Sequence, residues 1–175
     1  RLTRFLFVGT LTFRKRPLYA IDLIHKLKER GYNVHLHFIG EGESRATIEN
    51  YINSNDLQNY ITLEGNKSKD EVAQFFRTSE FVLLPSKIEG WPKAVAEGMF
   101  WGCVPLATPI SAVPYMVDKG NRGLLLSLNL DEDVNQIVSL VDDNERYKTV
   151  SEKARNWSRN YTMEKFEAVI IKLLA

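Results

Sequence analysis

A single cysteine, Cys103, stands among 175 residues. Neither a disulfide framework nor a multi-cysteine metal site can therefore form within the chain. That scarcity fits a cytosolic protein. Charge imbalance is also missing: the formal net charge is +1, which removes the broad positive field expected of a nucleic-acid partner. No apolar run approaches the roughly 18–20 residues of a membrane span, and no signal peptide is visible. The chain starts abruptly at Arg1, with a strand only a few residues on, as expected of a fragment cut from a longer protein. Two nucleotide fingerprints are absent. A dinucleotide site needs G-x-G-x-x-G after its first strand, where this chain has Gly9, Thr10, Leu11 and Thr12. The P-loop pattern is absent throughout. Gly40, Glu41 and Gly42 form only part of a glycine-rich loop, and a lone GxG is ordinarily a turn. His35 and His37 share one strand face and His25 lies in a helix, with no further ligands at metal-binding positions; packing or surface roles are expected, and no metal.

What is present reads as a globular domain: 44% hydrophobic and 26% charged residues suffice for one core. Residues 5–9 (FLFVG) make an apolar run ending in glycine, and further strands are expected at 34–39, 61–63, 81–84, 104–107 and 123–126. Between them, Pro17 opens a helix carrying Leu18, Ile21, Ile24 and Leu27, closed by Gly31. Other helices are expected over 47–52, 71–76 and 92–101, and the chain reads as helical from Asp131 in three pieces. Strands alternating with helices at this spacing predict an α/β fold: a Rossmann-like parallel sheet of about six strands, helices on both faces, and extra carboxy-terminal helices. Ligands bind such sheets beyond the carboxyl ends of the strands, so functional residues are expected just after Val8, Ile39, Leu63, Leu84 and Ala107.

Two stretches at that edge carry chemistry. Arg14, Lys15 and Arg16 precede a helix amino terminus, which already favours anions; the three cations suit a diphosphate, or else form a solvated loop tip. Ser86 through Pro92 follows an apolar strand and leads into a helix containing Glu97. With Pro92 in the first helical turn, the Lys93 and Ala94 amides are expected to face outward without intrahelical partners, ready for phosphate or sugar oxygens. Glu89 and Glu97 lie two helical turns apart, on the order of 10 Å at ~1.5 Å per residue. That is too far for a shared proton or one metal, and it suits the two ends of an elongated ligand; spacing alone equally allows two surface glutamates. Trp91 is placed to stack on such a ligand, whereas Phe100 and Trp101 are expected in the core.

Glu89-x7-Glu97, within EGWPKAVAEGMFWGCVPLAT, resembles the E-x7-E signature of group 1 (family 4) glycosyltransferases. The resemblance spans almost the whole chain, with FLFVGTL, HFIGEGE, ITLEGNKSKDEVAQFF, FVLLPS, VPYMVDKGNRGLLL and YTMEKFEAVI in the expected order. It implies a single domain over 1–175, the carboxy-terminal, donor-binding half of a two-domain GT-B enzyme. An absent amino-terminal domain would then bring the acceptor glycan or glycolipid. The implied reaction moves a sugar from a nucleotide diphosphate to a hydroxyl with retained configuration, without metal or cofactor. Glu89 would contact the donor sugar, Glu97 the ribose, and Lys15 the diphosphate. Gly9 permits close backbone approach, while Ser86, Gly90 and the amides around Trp91, Pro92, Lys93 and Ala94 support sugar and phosphate oxygens. Gly40, Gly65 and Asn66 lie where the family lines its base pocket. Thr10 departs from the family's usual arginine, so neutralisation is expected to rest on Lys15 with help from Arg14 or Arg16. The resemblance also implies bacterial surface polysaccharide or glycolipid synthesis, in the cytoplasm or at the inner membrane face, with any peripheral membrane contact made by the absent domain. The isolated fragment should bind donor and transfer little. Competing readings are a UDP-sugar 2-epimerase of the same architecture, a receiver-like or other non-catalytic nucleotide-binding module, and an NAD-dependent enzyme. The missing glycines argue against the last, and the lack of an acidic cluster near the first strand argues against a receiver.

Overall fold

The computed structural model describes residues 1–162, 164–165 and 171–172. Its strands are β1 (Thr3–Val8), β2 (Val34–Ile39), β3 (Ile61–Gly65), β4 (Phe81–Leu84), β5 (Val104–Ala107) and β6 (Leu124–Leu125). They form one parallel sheet in the order β3-β2-β1-β4-β5-β6. The helices are α1 (Pro17–Glu29), α2 (Arg45–Ser54), α3 (Lys69–Thr78), α4 (Lys93–Trp101), α5 (Val113–Val117), α6 (Leu130–Val141) and α7 (Asn144–Ser158).

Strand periodicity distributes the core over both faces of the sheet. Phe5 and Phe7 of β1 join Leu36 and Phe38 of β2 and the apolar stripe of α1 (Ile21, Ile24, Leu27), with α6 against the same cluster. Leu6 points the other way, to Phe76, Val82 and Cys103. Because both faces are covered, β4 and β5 are buried at every position, as the continuous apolar runs of central parallel strands require. The chain winds outward through β2 and β3, then returns to lay β4 beside β1. Connections consequently diverge between β1 and β4, and a crevice opens there at the carboxyl edge.

Local signals explain the helix starts. Pro17 opens α1 after Arg16, which sits in the left-handed region at φ 50°. Ser68 and Glu71 form a reciprocal capping box on α3. The buried Asp133 carboxylate accepts from the Ser127 and Leu128 amides (2.8 and 3.0 Å) and from the Tyr19 hydroxyl (2.5 Å), tying β6, α6 and α1 together.

Several expectations are corrected. A short helix, α5, occupies the VPYMV segment, between the expected strands at 104–107 and 123–126, where the sequence pattern assigns no element. Phe100 and Trp101 are half-buried: Trp101 packs against the Leu6, Phe76 and Cys103 cluster with the Arg77 guanidinium 4.1 Å from its ring, whereas Phe100 lies outside the core with the Arg159 guanidinium 5.2 Å away. Two of the three carboxy-terminal helical pieces are α6 and α7; most of the third, with most of YTMEKFEAVI, lies outside the described residues. Among the described residues, no helix is long and apolar enough to cross a membrane.

Three phenols give the fold a pH limit. Burial, then Asp133, raises the Tyr19 pKa; burial, then the Glu80 charge, raises that of Tyr147; and the Asp22 hydrogen bond pushes Tyr51 up to about 12. The unfolded chain releases these protons near pH 10 while the folded chain holds them. This contribution is intact below about pH 10, and stability falls as pH rises beyond it. Urea midpoints measured from pH 8 to 11.5 should be flat and then decline, with a shallower decline in Tyr51→Phe.

Candidate functional site

Three adjoining hollows form a crevice around the carboxyl end of β1, and Val8 lines all three. The central one, about 370 Å³, is walled by Gly9, Thr10 and Lys15 on one side. Glu89 and the start of α4 (Trp91, Pro92, Lys93, Ala94, Glu97) wall the other. The second, about 280 Å³, runs past Gly9 and Thr10 to Ile39, Gly40, Glu41, Asn66 and Lys67. The third, also about 280 Å³, lies beyond Glu97 and adds Lys69, Phe76 and Trp101.

Close backbone approach builds the β1–β2 side. The Gly9 amide donates to the Ile39 carbonyl at 2.9 Å, Leu11 to Glu41 at 3.0 Å, and Gly40 to Gly65 at 2.8 Å. Gly40 has φ +129°, and a Cβ there would stand 2.0 Å from the Gly9 carbonyl oxygen. Only glycine lets these two loops touch.

The 85–91 loop is held from two directions. From the β1 side, the Arg14 carbonyl accepts the Lys87 amide at 2.7 Å, and Arg16 donates to the Pro85 carbonyl at 3.4 Å. From beyond β5, the buried Thr108 hydroxyl donates to the Ser86 carbonyl at 2.5 Å, and Ser111 donates to the Gly90 carbonyl. Ser111 does so from the left-handed region, at φ 49°, a position a serine holds only at some strain.

The ionisable groups lining the central hollow pair off. The Lys15 ammonium contacts the Glu89 carboxylate, whose side chain is only 10% exposed. Lys93 lies 3.6 Å from Glu97, one turn along α4. Two cations and two carboxylates thus cancel. This arrangement can grip an elongated polyanion bearing hydroxyl groups: lysines for the anion, carboxylates as acceptors for hydroxyls, and a helix start between them.

The sequence-derived residues separate as follows. Gly9, Thr10, Lys15, Glu89, Trp91, Pro92, Lys93, Ala94 and Glu97 meet in the central hollow. Gly40 and Asn66 line the adjoining one, with Gly65 bonded to Gly40 behind them. The rest depart from expectation. The Arg14 side chain is exposed and lines none of the three hollows, and Arg16 is engaged by Pro85, so Lys15 alone of the three cations lines the crevice. Ser86 is completely buried and contributes its carbonyl to the loop's anchoring; Gly90 likewise acts through its carbonyl. Pro92 is the cap residue preceding α4, with ψ 73°. That backbone turns the Lys93 amide onto the Trp91 carbonyl at 2.8 Å, so it is not a free donor; among the described residues the Ala94 amide has no such partner. The Lys15–Glu89 contact, Ser111 and the lysines at 67 and 69 were missed. Thr108 follows a strand end and was findable by the rule that located the others.

The comparisons agree on one family. The family model described as "Glycosyl transferases group 1" matches residues 2–157. An uncharacterized glycosyltransferase of Methanocaldococcus jannaschii is 35% identical over 162 residues, covering 91% of this chain and 44% of the relative. The UDP-Gal:alpha-D-GlcNAc-diphosphoundecaprenol alpha-1,3-galactosyltransferase of Escherichia coli is 27% identical over 143 residues, 79% of this chain and 36% of that one. Among solved structures, Anabaena HepE in complex with UDP and glucose matches with a TM-score of 0.85 over 98% of this chain and 47% of that one, at 17% identity, a likeness of fold. The chain spans less than half the length of these relatives.

Proposed function

Because this chain belongs to the group 1 glycosyltransferases, with the fold of their GT-B architecture, we propose that it binds a nucleotide-diphosphate sugar for transfer, with retained configuration, to an acceptor hydroxyl. The observation that carries this reading is the meeting of Lys15, Glu89, Glu97 and the Ala94 amide in one hollow at the β1–β4 divergence. Lys15 faces the diphosphate and stabilises the leaving group as its charge grows. Glu89 accepts hydrogen bonds from the sugar hydroxyls and Glu97 from the ribose. The base lies toward Gly40, Gly65 and Asn66. Catalysis rests on placed charge around a departing diphosphate and an oxocarbenium-like sugar, with no cofactor.

An amino-terminal domain of the same protein supplies the acceptor side and any membrane contact, so this chain alone binds donor and transfers little. The Escherichia coli relative, whose name gives a diphosphoundecaprenol-linked acceptor, supports a lipid-linked or glycan acceptor handled at the inner membrane face. Calorimetric titration with UDP-, GDP- and ADP-linked sugars tests the reading. Saturable one-to-one binding within one nucleotide series is expected, and no binding by any of them would remove it. Turnover of donor without an acceptor, in the full-length protein, would mark a 2-epimerase instead.

A further inference from the structure

Lys15 and Glu89 stand 74 positions apart in sequence and meet directly at the mouth of the crevice. Their side chains are 24% and 10% exposed, so water can replace the partner of the lysine more readily than that of the glutamate. No other cation lining the central hollow can take over. Among the described residues Lys93 is the only other cation there, and it is paired one turn down with Glu97 and points largely into solvent.

A diphosphate that recruits Lys15 therefore takes it from Glu89. A nucleotide sugar brings hydroxyl donors to the abandoned carboxylate; a nucleotide diphosphate without its sugar brings none. Resting on the donor-site reading above, we propose that Glu89 sets the ranking between donor and spent nucleotide by competing with the diphosphate for Lys15. Once the sugar has left, the ion pair re-forms and drives the nucleotide diphosphate out. Glu89 is thereby a specificity determinant acting against product as well as a contact for the donor sugar. This differs from simple repulsion between carboxylate and phosphate, because it acts through Lys15.

The test is a set of dissociation constants for UDP, GDP and ADP, and for their glucose-linked forms. They are measured on the wild-type chain, Glu89→Gln, Glu89→Ala, Lys15→Met and the Lys15→Met/Glu89→Gln double variant, each checked for a cooperative melt. The expected result is that both Glu89 variants bind the free nucleotide about tenfold tighter than wild type, while the advantage of the sugar-linked form shrinks or inverts. In the Lys15→Met background, Glu89→Gln should bring no tightening. Unchanged or weaker nucleotide binding in the foldable Glu89 variants overturns the proposal and leaves donor binding standing. Tightening that persists without Lys15 also overturns it, because repulsion would then suffice. Absence of any binding to the wild-type chain removes both this proposal and the donor reading.

Discussion

Replacing Lys15 by methionine is expected to weaken nucleotide-sugar binding about a hundredfold, the size of effect seen when one partner of a desolvated charge contact is truncated. The neighbouring arginines do not rescue it: Arg14 lines none of the hollows and Arg16 is bonded to the Pro85 carbonyl. Thr10 supplies no charge. The same variant leaves Glu89 without a cation at 10% exposure, so the fold itself should lose about 1–2 kcal/mol, less than for a fully buried pair. Adding Glu89→Gln should restore that stability without restoring affinity. Calorimetry and urea denaturation on the wild-type chain, Lys15→Met and the double variant separate the two effects. A Lys15→Met affinity within about threefold of wild type would mean that the diphosphate is held elsewhere.

Gly40→Ala is expected to destabilise the chain by about 3 kcal/mol and to lower its melting temperature on the order of 6–12 °C. The added methyl would stand 2.0 Å from the Gly9 carbonyl oxygen and 2.8 Å from the Gly9 carbonyl carbon, both backbone atoms that no rotamer change can move. The β1 and β2 loops must separate, and the bond from the Gly9 amide to Ile39 is lost with them. Gly31→Ala is the control. Gly31 also has positive φ, at +84°, but its new Cβ would meet nothing within 4 Å, so only the backbone term of about 1 kcal/mol applies. Equal melting temperatures for the two variants would refute the clash. Gly40→Ala should also abolish donor binding at temperatures where it remains folded, because the opened loops no longer border one crevice.

The fold was legible because the strongest signals were redundant. FLFVG, the 34–39 run and the 81–84 run each end at a small or turn residue, and each is followed by helical spacing, so one architecture satisfied them all. The strand-end rule then placed most of the site. What stayed hidden depends on relations between loops. Nothing in the order Arg14, Lys15, Arg16 says which cation turns inward; the left-handed Arg16 and the anchoring of Pro85 decide it. The Lys93 amide looked free because proline commonly occupies the first helical position, whereas here Pro92 precedes the helix and Trp91 captures the donor. Ser86 has the composition of a ligand contact and the burial of a structural residue. Periodicity also missed α5, whose five residues give barely more than one turn.

The strand order also governs how the chain can be made. Residues 3–65 contain β1, β2 and β3, so until β4 is made β1 has one edge unpaired, a row of backbone N–H and C=O groups open to any strand that passes. An unpaired central edge is an aggregation hazard during synthesis, and this one closes only when residues 81–84 emerge. Lys15 meets Glu89 only after that moment, so no ligand that needs both residues can stabilise the chain before β4 has paired.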